Sequence, residues 1–282
     1  LSRFITDLMW YGQLGFQSVV WTQLGVKIGL WVAYALLMAL TGFVSAWLAI
    51  RARPDSADGS TIRINGDVVE VGKSVSSKTA RRVAVVISLI VGVIFGSQFN
   101  ANWSEILLMF NAQSFGTTDP QFGLDNGFYV FVLPGLKLVL AAVAMLLGVG
   151  LVFSVVTHVL MGGIRITMPV NGRGLFSITK RCRRQLGIWL MLNMFAWAVR
   201  QMIGVFDQLT VQGSRITGAS YTAVHANIPV TFIMAALTAI LGVVLGIWLM
   251  RSHTLEGQAS IGVRASAALK AWRVPVTSIA VV

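Results

Sequence analysis

The sequence predicts an all-α membrane protein, a polytopic bundle of transmembrane helices. Three observations predict it. Apolar stretches about as long as a bilayer is thick recur along the chain. Charged residues are only 11 % of the 282 residues, while 56 % are hydrophobic and mean hydropathy is +0.76. A soluble domain is nearer a quarter charged. Most of the basic residues fall in alternate loops, the pattern that orients membrane proteins. The composition excludes a disordered chain, which would be polar and charge-rich. With Cys182 as the single cysteine, it also excludes a disulfide scaffold.

A hydrocarbon core about 30 Å thick takes roughly 20 helical residues. Five stretches meet or approach that length: 28–50, 83–99, 138–160, 186–206 and 229–250. Val83–Phe99 is the shortest. A sixth stretch, 274–282, is the expected start of a further span. The plan is therefore an outer amphipathic segment over 1–27, a helix bundle over 28–282, and an extracytoplasmic domain expected beyond 282. Pro134, Pro229 and Pro275 stand at or just before apolar runs. Proline suits a helix's first turn, where its missing N–H has no partner to lose, so these residues mark helix starts.

Charge sets the orientation. Loops 51–82, 161–185 and 251–273 hold 17 of the 22 basic residues and five acids. The remaining segments hold five of each sign, so the net charge of +12 belongs to one side. By the positive-inside rule that side is the cytoplasm of a cell (plasma or inner) membrane. The basic residues cap helix ends and form no continuous stripe, so nucleic acid is not an expected partner. Lys180, Arg181, Arg183 and Arg184, directly before a span, form the densest cluster. They are a topology determinant and a candidate contact for anionic lipid headgroups. Cys182, between them, is expected to be a free thiol.

Two of the basic loops carry hairpin signals. Thr61–Ile64 and Asp67–Val71 flank Asn65-Gly66; Arg165–Val170 and Arg173–Ile178 flank Asn171-Gly172. Asn-Gly accepts the positive φ of a two-residue hairpin turn. The shared Ile-Arg-Ile at 62–64 and 164–166 hints at a duplicated helix–loop–helix unit. The outer loops differ. Ser104–Ala112 has the apolar spacing of a short interfacial helix. Asp119-Pro120 and Asp125-Asn126-Gly127 are turn signals, and an aromatic run, Phe128-Tyr129-Val130-Phe131, leads to Pro134.

The span 186–206 holds the most unusual residues. Asn193, Trp197, Arg200, Gly204 and Asp207 are spaced 4, 3, 4 and 3, which sets them on one helical face. A charge within a span is costly unless it pairs, snorkels or meets water. Asn193, Arg200 and Asp207 are therefore the candidate polar seam, lining a solute or ion path. Under the alternative, Arg200 snorkels outward and pairs with Asp207, while Asn193 bonds a neighbouring helix. Metal, cofactor and catalytic constellations are not expected. His158, His225 and His253 are far apart, and no HExxH or paired-cysteine spacing occurs. His158 reads as a polar residue at a helix end. Gly66–Ser74 resembles a phosphate-binding loop, but five residues separate its glycines where four are needed. Gly-xxx-Gly pairs occur at 25/29, 92/96, 123/127 and 242/246; with 28 glycines in the chain, chance alone gives about three.

The stretch Asp119-Pro120-Gln121-Phe122-Gly123-Leu124-Asp125-Asn126-Gly127-Phe128-Tyr129-Val130-Phe131-Val132-Leu133-Pro134 resembles the signature of uncharacterised protein family 0182, large bacterial membrane proteins. Thr6–Tyr11, Ser18–Thr22 and Thr217–Thr222 with Val224-His225-Ala226 and Pro229 agree with it. The resemblance implies about seven membrane helices followed by a large extracytoplasmic domain. By it, one helix would precede Leu1 and the ectodomain would follow Val282. The chain departs from the family pattern at Ala223, where an Asp is common. It also has Ala198-Val199-Arg200-Gln201 or Phe206-Asp207-Gln208-Leu209 in place of Leu-Asp-Arg-Tyr.

The function expected from these readings is non-enzymatic: an integral inner-membrane anchor or assembly module for an extracytoplasmic domain and partner proteins. Membrane lipids, further copies of the chain or other membrane proteins are its expected partners. The alternatives are a transporter or channel subunit with a polar path along 186–206, and the membrane part of an enzyme with its active site in an ectodomain.

Overall fold

A computed structural model describes residues 2–52, 61–64, 67–70, 76–97, 102–166, 176–210 and 218–251. Along the chain run helices α1 (Ser2–Gln13) and α2 (Gln17–Arg51), hairpin strands β1 (Thr61–Ile64) and β2 (Asp67–Glu70), helix α3 (Ser77–Gly96) and short helix α4 (Trp103–Phe110). Then come α5 (Leu133–Leu160), strands β3 (Ile164–Ile166) and β4 (Phe176–Ile178), α6 (Lys180–Gly204) and α7 (Ile228–Arg251). Among the described residues, five helical stretches are long and apolar enough to cross a membrane: Gln17–Arg51, Ser77–Gly96, Phe128–Leu160, Lys180–Leu209 and Ala223–Arg251. The predicted stretch 274–282 lies outside the described residues, as do the Asn65-Gly66 and Asn171-Gly172 turns.

Each helix outruns the apolar core read from the sequence. The first begins at Gln17, not Ile28, and its 35 residues span about 52 Å. Lipid requires backbone bonds to be closed within the helix, but a helix continues into water wherever its residues allow. Thus the outer segment 1–27 is divided between α1 and the first turns of α2. The break between them is a turn at Leu14–Phe16, with Gly15 at φ 75°.

Pro134 and Pro229 stand at the second position of α5 and α7, in the first turn as the sequence predicts, but the helical run begins before them; Pro275 lies outside the described residues. Pro134 and Pro229 are each preceded by a single wide π turn, Phe128–Val132 and Ala223–Asn227. There the Leu133 N–H reaches the Phe128 carbonyl and the Ile228 N–H the Ala223 carbonyl, five residues back. A proline inside a helix loses one N–H and clashes with the carbonyl four residues before it. Widening the preceding turn relieves the clash and lets the helix run through.

The chain divides into two units, residues 1–40 with 86–142, and 41–85 with 143–282. In the first, α3 lies close against α2. A Cβ on Gly92 would stand 2.5 Å from the Ala35 carbonyl oxygen, and one on Gly96 2.9 Å from that of Trp31. The Trp31 indole N–H donates to the Val93 carbonyl (3.3 Å) and the Tyr34 hydroxyl to that of Ala142 (3.1 Å). Ile106 of α4 is buried, and Gly135 fits against the Glu105 carbonyl and Met109. In the second unit, α6 and α7 pack along their lengths. Gly187 and Gly246 allow this, each with the other's carbonyl oxygen within 3.0 Å of where its Cβ would be.

The first hairpin pairs Thr61 with Glu70 and Ile64 with Asp67, the register that a two-residue turn at 65–66 requires. The second pairs Ile164 with Ile178 and Ile166 with Phe176. The rest of the two predicted strands, 167–170 and 173–175, lies outside the described residues.

Candidate functional site

Three polar constructions are built on the helices. The first is a loop clamp over residues 111–129. The Asp119 carboxylate accepts from the backbone N–H groups of Gln121 (2.8 Å), Phe122 (2.7 Å) and Leu124 (3.0 Å), and from the Tyr129 hydroxyl (2.8 Å). Asp125 accepts from the N–H groups of Phe115, Gly116 and Gly127 and from the Ser114 hydroxyl. Gly116 and Gly123 turn the chain at positive φ, 68° and 67°. That conformation is natural to glycine. Gly127 faces the Gln113 carbonyl with no space for a side chain. Burial raises the Asp119 pKa, but the Phe122, Tyr129, Leu124 and Gln121 donors outweigh it, and the carboxyl stays below its ordinary range. At Asp125 the Ser114 hydroxyl, then the Phe115 and Gly127 N–H groups, bring it down to about 2. Both carboxylates are spent on holding the loop.

The second construction joins α2, α5 and α6. The Gln185 side-chain N–H donates to the Ser45 carbonyl at 2.9 Å, so its Oε1 is left to accept. His158 Nε2, 3.0 Å away, is then the donor. His158, Ser45 and Ser154 are buried. His158 stands in the last turn of α5, the helix-end position the sequence predicts. Nothing in the pattern links it to a partner 27 positions later on another helix. A similar withdrawal affects the basic cluster. Lys180, Arg181 and Arg184 are exposed, but Arg183 is only 1 % exposed. The side of α6 that carries Arg183 continues to Gly187, which is pressed against α7. Arg183 is therefore removed from the set that can meet lipid headgroups. The Thr179 hydroxyl caps this helix by accepting from the Cys182 N–H, and Cys182 is a free, buried thiol.

The third is the stripe along α6. Asn193 uses both amide hydrogens, donating to the Leu147 carbonyl of α5 (3.1 Å) and to the Trp189 carbonyl (2.8 Å). Gln201 donates to the Thr238 hydroxyl of α7 (3.3 Å). Asn193, Trp197 and Arg200 line one cavity of about 690 Å³ with Ala144, Met194 and Gln201. Asp207 is not brought into it. The α-helix ends at Gly204 and Asp207 stands on a 3₁₀ turn, Phe206–Leu209. That tighter winding takes it out of the register its spacing implied. Among the described residues no cluster of three His, Cys, Asp or Glu side chains could hold a metal.

The model of the Uncharacterised protein family (UPF0182) matches residues 1–282. The chain belongs to this family. A UPF0182 protein of Bifidobacterium adolescentis is 75 % identical over 280 residues, which is 99 % of this chain and 26 % of that protein. The UPF0182 proteins of Kocuria rhizophila and Corynebacterium efficiens are 34 % and 30 % identical, over 87 % and 85 % of this chain and 24 % of each relative. The chain thus spans about a quarter of the length of these UPF0182 relatives. No solved structure matches it.

Proposed function

We propose that this UPF0182 chain is the anchoring and assembly region of a larger protein of the cell membrane. It would dock partner proteins or further copies through its helix faces. The observation that carries this reading is how little of each span the chain covers for itself. At most 22 % of the most apolar stretch of any span is buried within the chain. Lipid, other parts of the larger protein or other subunits must cover the rest. Two further features support it. The 111–129 loop is rigidly tied, as a platform would be, and Gln185, Asn193 and Gln201 of α6 stitch helices together. In this reading loops 51–82, 161–185 and 251–273 face the cytoplasm, α4 lies in the opposite interface, and Lys180, Arg181 and Arg184 lie against anionic headgroups.

Purification of the full-length protein in mild detergent, with light scattering and identification of co-purifying proteins, tests the assembly reading. A defined oligomer or a stoichiometric partner is expected. A single copy without partners that conducts a solute across vesicles would overturn it. Reporter fusions at Gly59 and Gly257 test the orientation, and both should be active only on the cytoplasmic side.

One observation favours a second reading, a transporter or channel subunit: the cavity along Asn193, Trp197 and Arg200. Cysteine labelling along 193–207 separates the two. A labelled helical stripe belongs to a water-filled path, and uniform protection to an anchor.

A further inference from the structure

The α6 cavity has two chemically distinct parts. Its walls are largely apolar, formed by Ala144, Met194 and the Trp197 ring, and among the described residues no acidic side chain lines it. Near its deeper part Asn193 has both amide hydrogens occupied by helix carbonyls, so it offers no donor to a solute. Asn193 lies level with Leu147 of α5. Arg200 is seven residues further along α6, about 10 Å, toward the end away from the basic 180–184 cluster. Arg200 carries five donors and is exposed, and Gln201 beside it has a second amide hydrogen beyond the one given to Thr238. Trp197, within the span, is 63 % exposed. The cavity is therefore open at the lipid-facing surface of the helix. Its volume of about 690 Å³ is within the range of a small-molecule site.

A cation at one end and apolar walls below it complement an amphiphile, not a hydrated solute. A free anion would leave the apolar walls bare, and a neutral lipid would leave Arg200 uncompensated within the span. We propose that this cavity binds one anionic phospholipid. Its phosphate meets Arg200 and Gln201, and its acyl chain lies along Trp197, Met194 and Ala144. The site is at the opposite end of the span from the basic loops and separate from the headgroup contacts of Lys180, Arg181 and Arg184. It goes beyond the anchoring reading and does not depend on it.

The test uses the full-length protein in mild detergent, titrated with brominated phosphatidylglycerol, brominated phosphatidylcholine or inorganic phosphate. Tryptophan quenching is compared with that of Trp197→Phe, so that the part due to Trp197 is isolated. Phosphatidylglycerol should quench this part saturably, and phosphatidylcholine should do so about tenfold more weakly, since the choline ammonium beside its phosphate repels Arg200 and leaves the headgroup without net charge. Arg200→Gln should weaken phosphatidylglycerol by a similar factor. Arg200→Lys should restore most of it, and Ala144→Phe, which fills the cavity and leaves the cation in place, should abolish the saturable phase. Equal quenching by both lipids, an Arg200→Gln protein that binds like the wild type, or displacement of the lipid by millimolar inorganic phosphate would each overturn the proposal.

Discussion

The loop 111–129 and the polar stripe of α6 handle polar side chains in opposite ways. In the loop, two carboxylates gather four donors each, and six of those eight are backbone N–H groups that have no helix or sheet to satisfy them. In α6, the amides of Asn193 and Gln185 donate to carbonyls of helices, whose backbone bonds are already closed. The loop depends on its side chains for its fold. The helix uses its side chains only to choose neighbours. Removing a polar side chain should therefore be costly in the loop and cheap in the span, except where it strands a buried partner.

The largest effect is expected at Asp119. Asp119→Ala leaves three N–H groups and the Tyr129 hydroxyl without their acceptor in a site only 9 % exposed. At about 1–3 kcal/mol per stranded group, partly recovered by water, a loss of about 3 kcal/mol or more should appear in the denaturation midpoint. Asp119→Asn, which keeps one carbonyl oxygen, should lose less. A midpoint unmoved by Asp119→Ala would end the distinction between loop and span. Next comes Gln185→Leu. It removes a modest bond to Ser45, but it also strands the His158 N–H in a buried position, at about 1–3 kcal/mol. The double variant with His158→Leu should recover part of that loss, because neither partner is then left unpaired. Asn193→Leu is the mild case. Its two acceptors stay bonded within their helices, and polar contacts between membrane helices average about 0.6 kcal/mol. A loss above about 2 kcal/mol would show that the stripe is structural in the way the loop is.

This contrast also explains what could be read in advance. The five spans were legible because lipid demands long apolar runs, whatever the tertiary detail. Their ends were not, since α2 and α3 continue through residues that water tolerates. Pro134 and Pro229 do stand in the first turns of α5 and α7, but a π turn of ordinary residues carries the helical run back before each of them, and nothing in the residues themselves announces it. The aspartates of the loop were visible only as turn signals, because their partners are backbone groups, which carry no side-chain identity. The glycine spacings were uninformative as a count. Gly92 and Gly96 lie against α2, and Gly242 lies against Met194 of α6, while Gly25 and Gly29 have nothing within 4 Å. Only the partner decides, and the partner is remote in sequence. Asn193, Trp197 and Arg200 do share one cavity, but Asp207 is lost to it because the helix ends first.

The smallest effect is one of pH, and it separates the two regions by chemistry alone. Asp125 has a folded-state pKa of about 2 against an ordinary 3.8. A carboxylate whose pKa is depressed by folding contributes stability that is fully present above its unfolded value and is lost as pH falls through the folded one. The loop should thus hold its full stability above pH 3.8 and weaken between there and about 2. Asp119, also held below its ordinary range, acts with the same sign. The Asn193 and Gln201 amides do not titrate, so the stripe should be indifferent across this interval. Limited proteolysis of the 111–129 loop, followed from pH 5 to pH 2 with an acid-active protease, should show cleavage rising at the low end. The Asp125→Asn protein should already be more readily cleaved at pH 5 and change less on acidification. An acid response equal in size in that variant would place the titrating group outside the loop.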